Sequence, residues 1–158
     1  MEAKIIYRKS KNGIRIYSKS KVLSSYFKKW ILCKLIEHYD LYEFINDGNR
    51  YLSSEIIEKS TQLSHNEISE YKALYRRENV SDLYFDEFLE IFKVVFGDIY
   101  VYKKNTNTDQ ESFINSRIAI IDLEDDGDWN SIWIEVSNKD LELFLVDLIE
   151  EYNCTFCN

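Results

Sequence analysis

The sequence predicts an α+β fold: an N-terminal β-hairpin, a helical middle, and an antiparallel β-meander packed by a C-terminal helix. Three observations predict it. Runs rich in β-branched and aromatic residues lie near both ends of the chain, apolar residues recur three and four positions apart between and after them, and no proline or Gly/Ser linker separates these parts. A chain of 158 residues can bury about two thirds of its unfolded surface, so we expect one domain spanning residues 1–158.

The first element is a hairpin in the stretch KIIYRKSKNGIRIY. We predict strands at about residues 4 to 10 and 14 to 18, joined at Asn12-Gly13, which tolerates the positive φ angles of a tight turn. Lys9, Lys11 and Arg15 along it could contact phosphate groups. They also suit an edge hairpin, where charge blocks pairing with another chain.

The middle of the chain predicts four helices. From Ser24 to Tyr39 apolar spacing indicates a central helix of about 16 residues. After a break near NDGN, SSEIIEKS predicts a short helix, and SHNEISEYKALYRREN predicts a longer one that begins with a Ser64/Glu67 capping box. Ser81 and Asp82 predict another helix, whose aromatic stripe we assign to the core: Phe85, Phe88, Leu89, Phe92 and Phe96.

The C-terminal third predicts the meander and the last helix. IYVYKK, RIAIIDLE and SIWIEVS are typical strands, and the second, apolar on both faces, should lie in the middle of the sheet. Ser137, with Asp140 three residues later, predicts the start of a helix that buries Leu141, Phe144, Leu145, Leu148, Ile149 and Tyr152. Its outer face carries Asp140, Glu142, Asp147, Glu150 and Glu151.

Charge is distributed unequally along the chain. Residues 1 to 79 carry 15 lysine and arginine against 10 acidic residues, and residues 80 to 158 carry 5 against 18, so the halves have formal charges of +5 and −13. We expect an acidic pole that attracts basic partners and repels phosphate backbones. The alternative is that the charge serves only solubility. No apolar run approaches the roughly 18 to 20 residues of a membrane span, and the basic start lacks the uninterrupted apolar segment and small-residue cleavage site of a signal peptide, so we expect a cytoplasmic protein.

Three cysteines lack the spacing of a disulfide framework. Cys33 is predicted to act as a small hydrophobe on the central helix. Cys154 and Cys157 have the C-x-x-C spacing of a redox or half-zinc site, but no second ligand pair accompanies them, so we expect a frayed tail.

The stretch DLEDDGDWN raises the question of a metal site. Asp122, Glu124, Asp126 and Gly127 match the opening of a calcium loop, but its closing glutamate is replaced by Trp133 and strands flank it. We therefore predict a hairpin tip and expect no metal or cofactor. Most such tips are solvated, but mutual repulsion among these carboxylates would be relieved by a basic partner, and an exposed tryptophan is a typical interface anchor. The predicted partner-binding residues are Glu124, Asp125, Asp126, Asp128, Trp129, Asp140 and Glu142.

Two other functions are weighed against binding. A metal-dependent nuclease could use Asp122 and Glu135, although Ser137 stands where such sites usually place a lysine. A nucleic-acid-binding regulator could use the basic hairpin and the two short helices, although acidic Glu67 and Glu70 open the helix that would read DNA. Nucleic acid is therefore not the expected partner. The two histidines suggest no catalytic triad, and we expect no enzymatic activity.

Two stretches carry a family resemblance: NGIRIYSKSKVL, running from hairpin into helix, and IWIEVSNKDLELFLVDLIE, running from strand into helix. With the size and acidity of the chain, they resemble the immunity proteins of bacterial toxin systems, including those of contact-dependent growth inhibition. The resemblance implies a non-catalytic stoichiometric inhibitor that covers the active site of a basic toxin, often a nuclease. Association of such a pair is fast and weakened by salt.

Overall fold

The computed structural model describes residues 2–45, 48–77, 93–95, 97–104, 116–123 and 130–157. Within them the strands are β1 (Ile5–Ser10), β2 (Gly13–Ser18), β3 (Tyr39–Ile45), β4 (Gly48–Tyr51), β5 (Ile99–Lys103), β6 (Arg117–Asp122) and β7 (Ser131–Val136). The helices are α1 (Ser25–His38), α2 (Ser54–Gln62), α3 (His65–Arg77) and α4 (Lys139–Phe156).

All these strands join one antiparallel sheet in the order β1-β2-β7-β6-β5-β3-β4. The α+β fold is therefore confirmed, and so is the meander β5-β6-β7. Strand β6 is the central strand of the sheet, as its apolar run predicts, because three strands lie on each side of it. The N-terminal hairpin extends the meander, since β2 pairs with β7 and places Ile14 opposite Ile134.

The two faces of the sheet differ. The core face carries buried residues such as Ile14, Ile16, Ile132 and Ile134, which join the buried side chains of α1 and α4 in one hydrophobic cluster. Residues that alternate with them lie on the other face, which we call the outer face. Because side chains alternate along a strand and paired residues share a face, Arg8, Arg15, Trp133, Glu135 and Asp122 all belong to the outer face.

The hairpin is confirmed, but the predicted role of its glycine was wrong. Ser10 pairs with Gly13, so the two turn residues are Lys11 and Asn12. Lys21 is the one non-glycine residue with positive φ in the described parts of the chain, so the turn does not use the left-handed conformation. Gly13 instead allows close packing: a Cβ there would lie 2.2 Å from the Ile134 carbonyl oxygen and 2.9 Å from the Trp133 ring.

We expect Gly13→Ala to destabilise the fold by about 1 to 3 kcal/mol, because the added methyl group overpacks the β2–β7 junction against a backbone atom. Urea denaturation measures the loss. Gly97→Ala is the matched control, since among the described residues its Cβ would meet nothing closer than a Glu43 carboxylate oxygen at 4.0 Å. The control should stay within about 0.5 kcal/mol of the natural protein. Equal effects of the two substitutions would contradict the close-packing role of Gly13.

The region after α1 corrects the prediction of a helical middle, because strands β3 and β4 lie between α1 and α2, where the sequence predicted only a break between helices. α1 starts after Ser24, whose hydroxyl accepts from the Phe27 amide, but it ends at His38. Tyr39 was predicted to lie in the helix and instead begins β3, which pairs with β5 and with β4. The apolar spacing of α1 runs on into β3, and this continuity hides the strand from a search for helical periodicity.

The two short helices are confirmed. Ser53 caps α2 by accepting from the Ile56 amide. The capping box of α3 forms as predicted: the Ser64 hydroxyl accepts from the Glu67 amide at 3.2 Å, and the Glu67 carboxylate accepts from the Ser64 amide at 3.4 Å. The predicted helix that starts at Ser81, with its aromatic stripe, lies outside the described residues.

The last helix differs from the prediction at both ends. Its N-cap is Asn138, whose side chain accepts from the Leu141 amide at 2.9 Å, whereas the Ser137 hydroxyl donates to the Ile118 carbonyl. The predicted frayed tail was wrong. α4 continues to Phe156, whose carbonyl accepts from the Glu2 amide at 3.2 Å and whose ring packs on Tyr152 at 4.8 Å. These contacts order the C-terminal end of the helix.

A buried ion pair fastens the far edge of the sheet. Glu43 on β3 and Arg50 on β4 are opposite each other in the register, and their side chains are 2% and 0% exposed. The Arg50 guanidinium donates to Glu43 and to the Val94 carbonyl. The second oxygen of Glu43 accepts from the Gly97 amide at 2.6 Å. The pair thereby ties the segment before β5 to the β3–β4 hairpin.

Candidate functional site

Four of the described carboxylates in the C-terminal half of the chain lie on one exposed stripe of α4, whereas Asp122 and Glu135 lie on the outer face of the sheet. We call this the acidic stripe and define it as Asp140, Asp147, Glu150 and Glu151. These side chains are exposed, and their spacing of three, four and seven places them on one face of the helix. The opposite face of α4 holds the buried residues Leu141, Leu145, Leu148, Ile149 and Tyr152, so the helix turns the acidic stripe away from the core.

An exposed leucine lies within the acidic stripe. Leu143 is 54% exposed and stands three residues after Asp140 and four before Asp147, which places it between them on the helix surface. An apolar side chain surrounded by charge is the arrangement of an interface with an apolar centre and a polar rim. The predicted site residues did not include Leu143, although its position on the charged face can be read from the helical spacing alone.

Repulsion within the acidic stripe is unfavourable for the isolated protein. Asp147 and Glu151 are four residues apart, and like charges at that spacing destabilise a helix by about 0.2 to 0.5 kcal/mol. The last turn of α4 contains no basic residue, so nothing in that turn balances the partial negative charge at the C-terminal end of the helix. A cation placed over the stripe would relieve both effects.

The two predicted site residues on α4 have different surroundings. Asp140 is exposed, and its charge adds to burial in raising the pKa of the nearby Tyr39 phenol. Glu142, two residues after Asp140, lies on another face of the helix and forms an ion pair with Lys9 of β1 at 3.2 Å. A partner that binds Glu142 has to compete with Lys9. Asp140 is exposed at the N-terminal end of the acidic stripe.

The predicted hairpin tip lies outside the described residues. This applies to Glu124, Asp125, Asp126, Asp128 and Trp129. Their flanks, Leu123 and Asn130, follow β6 and precede β7, which are adjacent antiparallel strands. The prediction that these residues connect two paired strands is confirmed, and their part in binding stays a prediction.

The alternative nuclease pair shares a face of the sheet but not a cavity. Asp122 pairs with Trp133 and Glu135 with Ile120, so the two carboxylates lie diagonally on the outer face. A cavity of about 300 Å³ is lined by Glu135 with Lys11 and Arg117, and Asp122 is not among its lining residues. Within the described parts of the chain, no group of three or more His, Cys, Asp or Glu side chains could hold a metal ion.

Two of the cysteines and one of the histidines pack against neighbouring groups. Burial raises the pKa of the Cys33 thiol, which lines a small cavity of about 170 Å³ beside Trp30. Burial also raises the pKa of the Cys157 thiol, whose sulfur lies 3.4 Å from the Ala3 carbonyl oxygen. A raised thiol pKa lowers the fraction of reactive thiolate. His38 packs against Phe144 with ring centroids 5.0 Å apart.

Comparisons with protein-family models, with curated proteins and with solved structures each found no significant match to this chain. In the described residues, no helix has both the length and the apolar character required to cross a membrane. The functional assignment therefore depends on the geometry and charge of the surfaces themselves.

Proposed function

We propose that this protein is a non-catalytic inhibitor of the immunity-protein type, which acts in the cytoplasm by binding a basic protein toxin over its active site. The acidic stripe of α4 carries the proposal. It presents four carboxylates along about 16 Å of helix, with Leu143 between them. A nuclease toxin is the partner that fits, because its phosphate-binding surface is cationic and must remain open for its substrate.

In the proposed complex, the carboxylates of the acidic stripe and the apolar side chain of Leu143 have different roles. Carboxylates on one exposed surface accelerate the encounter with a cationic partner, and salt screens that attraction. Leu143 supplies contact area that becomes buried in the complex, worth about 1.5 to 3 kcal/mol when the side chain is fully covered. Fast association and slow dissociation are the properties that a stoichiometric inhibitor requires.

The test begins with a search for a toxin-sized reading frame immediately upstream of the gene. A protein found there is co-expressed with this one, and the binding kinetics of the purified pair are measured. We expect a one-to-one complex and protection of growth from the toxin. The double variant Asp147→Asn/Glu151→Gln should slow association about tenfold at low salt, because steering depends on these charges. Leu143→Ser should leave the association rate unchanged and speed dissociation about tenfold or more.

The matched control is Glu37→Gln/Glu70→Gln, which changes net charge by the same amount at exposed positions outside the acidic stripe. It should retain the natural rates within a factor of two or so, since it leaves the stripe intact. Equal slowing by both double variants would show that overall charge, and not the stripe, governs association. A neighbouring toxin that kills cells despite the bound protein would contradict inhibition.

The metal-dependent nuclease is the second candidate, and the shared outer face of Asp122 and Glu135 is the observation in its favour. Magnesium-dependent cleavage of a labelled oligonucleotide that disappears in Asp122→Asn would support it. The inhibitor proposal expects no cleavage by the natural protein or by the variant. The two proposals therefore give opposite results in one assay.

A further inference from the structure

The outer face of the N-terminal hairpin contains a cationic groove that the acidic stripe does not involve. It has a volume of about 580 Å³, and its lining includes Ile6, Arg8, Arg15, Tyr17, Lys19 and Lys21. We call it the basic groove. None of the nine described residues that line it is acidic. It lies on the opposite side of the sheet from α4, because Arg8 and Arg15 pair across β1 and β2 on the outer face.

The groove combines cationic and aromatic side chains, the two kinds that bind an unpaired nucleic-acid strand. Arginine donates paired hydrogen bonds to phosphate oxygens, and lysine adds point charge. Tyr17 lines the groove, and the Arg15 guanidinium lies over the half-buried Trp133 ring at 5.4 Å from its centroid. Aromatic rings beside cations form a stacking platform for bases, which present their faces only when they are unpaired.

Lys21 provides a second, independent observation. Its φ is 71°, a left-handed conformation that glycine adopts freely and that costs other residues about 1 kcal/mol or more. Hydrogen bonds hold it there: the Lys21 amide donates to the Ser18 carbonyl at 3.0 Å, and the Ser20 amide donates to the Ser18 hydroxyl at 3.2 Å. At this position the lysine adds a cation to the groove where the backbone conformation favours glycine.

We propose that the basic groove binds single-stranded nucleic acid, with Arg8, Arg15, Lys19 and Lys21 on the phosphates and Tyr17 against a base. This goes beyond the proposed inhibitor function and uses a different surface. The net charge of −8 argues against a nucleic-acid partner for the molecule as a whole. Charges separated by more than about 8 to 10 Å are largely screened at physiological salt, however, so the acidic stripe on the other side of the sheet does not cancel the cations that line the groove.

The experiment is titration of a fluorescein-labelled oligodeoxythymidine with the full-length protein, followed by fluorescence anisotropy at several salt concentrations. We expect log K to fall linearly with log salt, with a slope of about −2 to −3 for three or four phosphate contacts at about −0.7 each. Arg8→Ala should weaken binding and reduce the slope by about 0.7. Tyr17→Leu should weaken binding about tenfold and leave the slope unchanged, because stacking releases no counterions.

Lys21→Gly separates binding from folding. It removes a cation and also relieves the left-handed backbone, so it should weaken oligonucleotide binding while the denaturation midpoint stays the same or rises. Lys29→Ala is the charge-matched control, because Lys29 lies on α1 and pairs with Glu58 at 3.3 Å. The control should bind like the natural protein.

Three results would overturn the proposal: no binding at low salt, equal loss of binding in the Lys29 control, or unchanged binding after Arg8→Ala and Lys21→Gly. Duplex DNA, a nucleoside triphosphate and poly-glutamate are the competitors. Any of them that displaces the oligonucleotide at equal charge concentration would overturn the assignment to an unpaired strand.

Discussion

Arg50→Met is expected to destabilise the protein by about 3 to 5 kcal/mol. Removing one member of a buried ion pair leaves the other charge in the interior without compensation. Glu43 is 2% exposed, so its carboxylate has little access to water once the guanidinium is gone. Glu43→Gln should have a similar effect, because it leaves the fully buried Arg50 charge uncompensated.

The position of the pair explains why the loss spreads beyond β3 and β4. Arg50 donates to the Val94 carbonyl, and Glu43 accepts from the Gly97 amide. Each single substitution therefore also removes a hydrogen bond that holds the residues leading into β5. Amide exchange in β5 should accelerate in either variant, since β5 pairs with β3 along Tyr39–Tyr42 and depends on that edge.

Urea denaturation measures the free energies, and the double variant Glu43→Leu/Arg50→Met tests the cause. It should lose less stability than either single variant, because no charge is left buried. Glu58→Gln provides the surface control: its ion pair with Lys29 is 3.3 Å long but half exposed, and should contribute less than about 1 kcal/mol. A double variant less stable than both singles would show that the pair stabilises by more than charge compensation.

Local signals in the sequence predicted much of the fold. The Ser64/Glu67 box forms because both residues lie within one helical turn. The apolar run at Ile118–Ile121 predicted the central strand, because burial on both faces selects such a run. Asn12-Gly13 marked the hairpin, but the reason for the glycine is its packing against Ile134 and Trp133, which lie more than 100 residues away in the sequence.

Features that depend on distant parts of the chain could not be predicted. Tyr39 fits the apolar spacing of α1 and was predicted as its last residue, but the strand Tyr39–Ile45 forms by pairing with β5 and β4. Arg50 looks like an ordinary surface arginine, and only its pairing with Glu43 shows that it is buried. At the candidate site, helical periodicity alone predicted the carboxylates of α4. The basic groove needed the pairing of β1 with β2, because Arg8 and Arg15 are neighbours only across the hairpin.

Tyr152→Ala should cost about 3 to 5 kcal/mol, as for other large aromatic side chains removed from a core. Tyr152 is fully buried and joins α4 to α1. Its ring centroid lies 4.9 Å from that of Phe27, 5.2 Å from Trp30 and 4.8 Å from Phe156. Tilted and edge-on contacts of this kind add to the burial energy. The truncated variant should also lose near-ultraviolet circular dichroism, because Trp30 loses the ring that fixes its environment.

Tyr152→Phe should have the opposite effect on stability and raise the free energy of unfolding. Among the described residues the Tyr152 hydroxyl has no hydrogen-bond partner, although it is buried, and an unsatisfied buried hydroxyl costs about 1 to 3 kcal/mol. Removing it while keeping the ring should therefore stabilise the protein by about 1 kcal/mol. Tyr26→Phe is the control, because Tyr26 packs on the same cluster but is 48% exposed. It should change the free energy of unfolding by less than about 0.5 kcal/mol. A destabilised Tyr152→Phe variant would mean that the hydroxyl is hydrogen-bonded in solution, and that the last helix is held to α1 by a polar contact as well as by its rings.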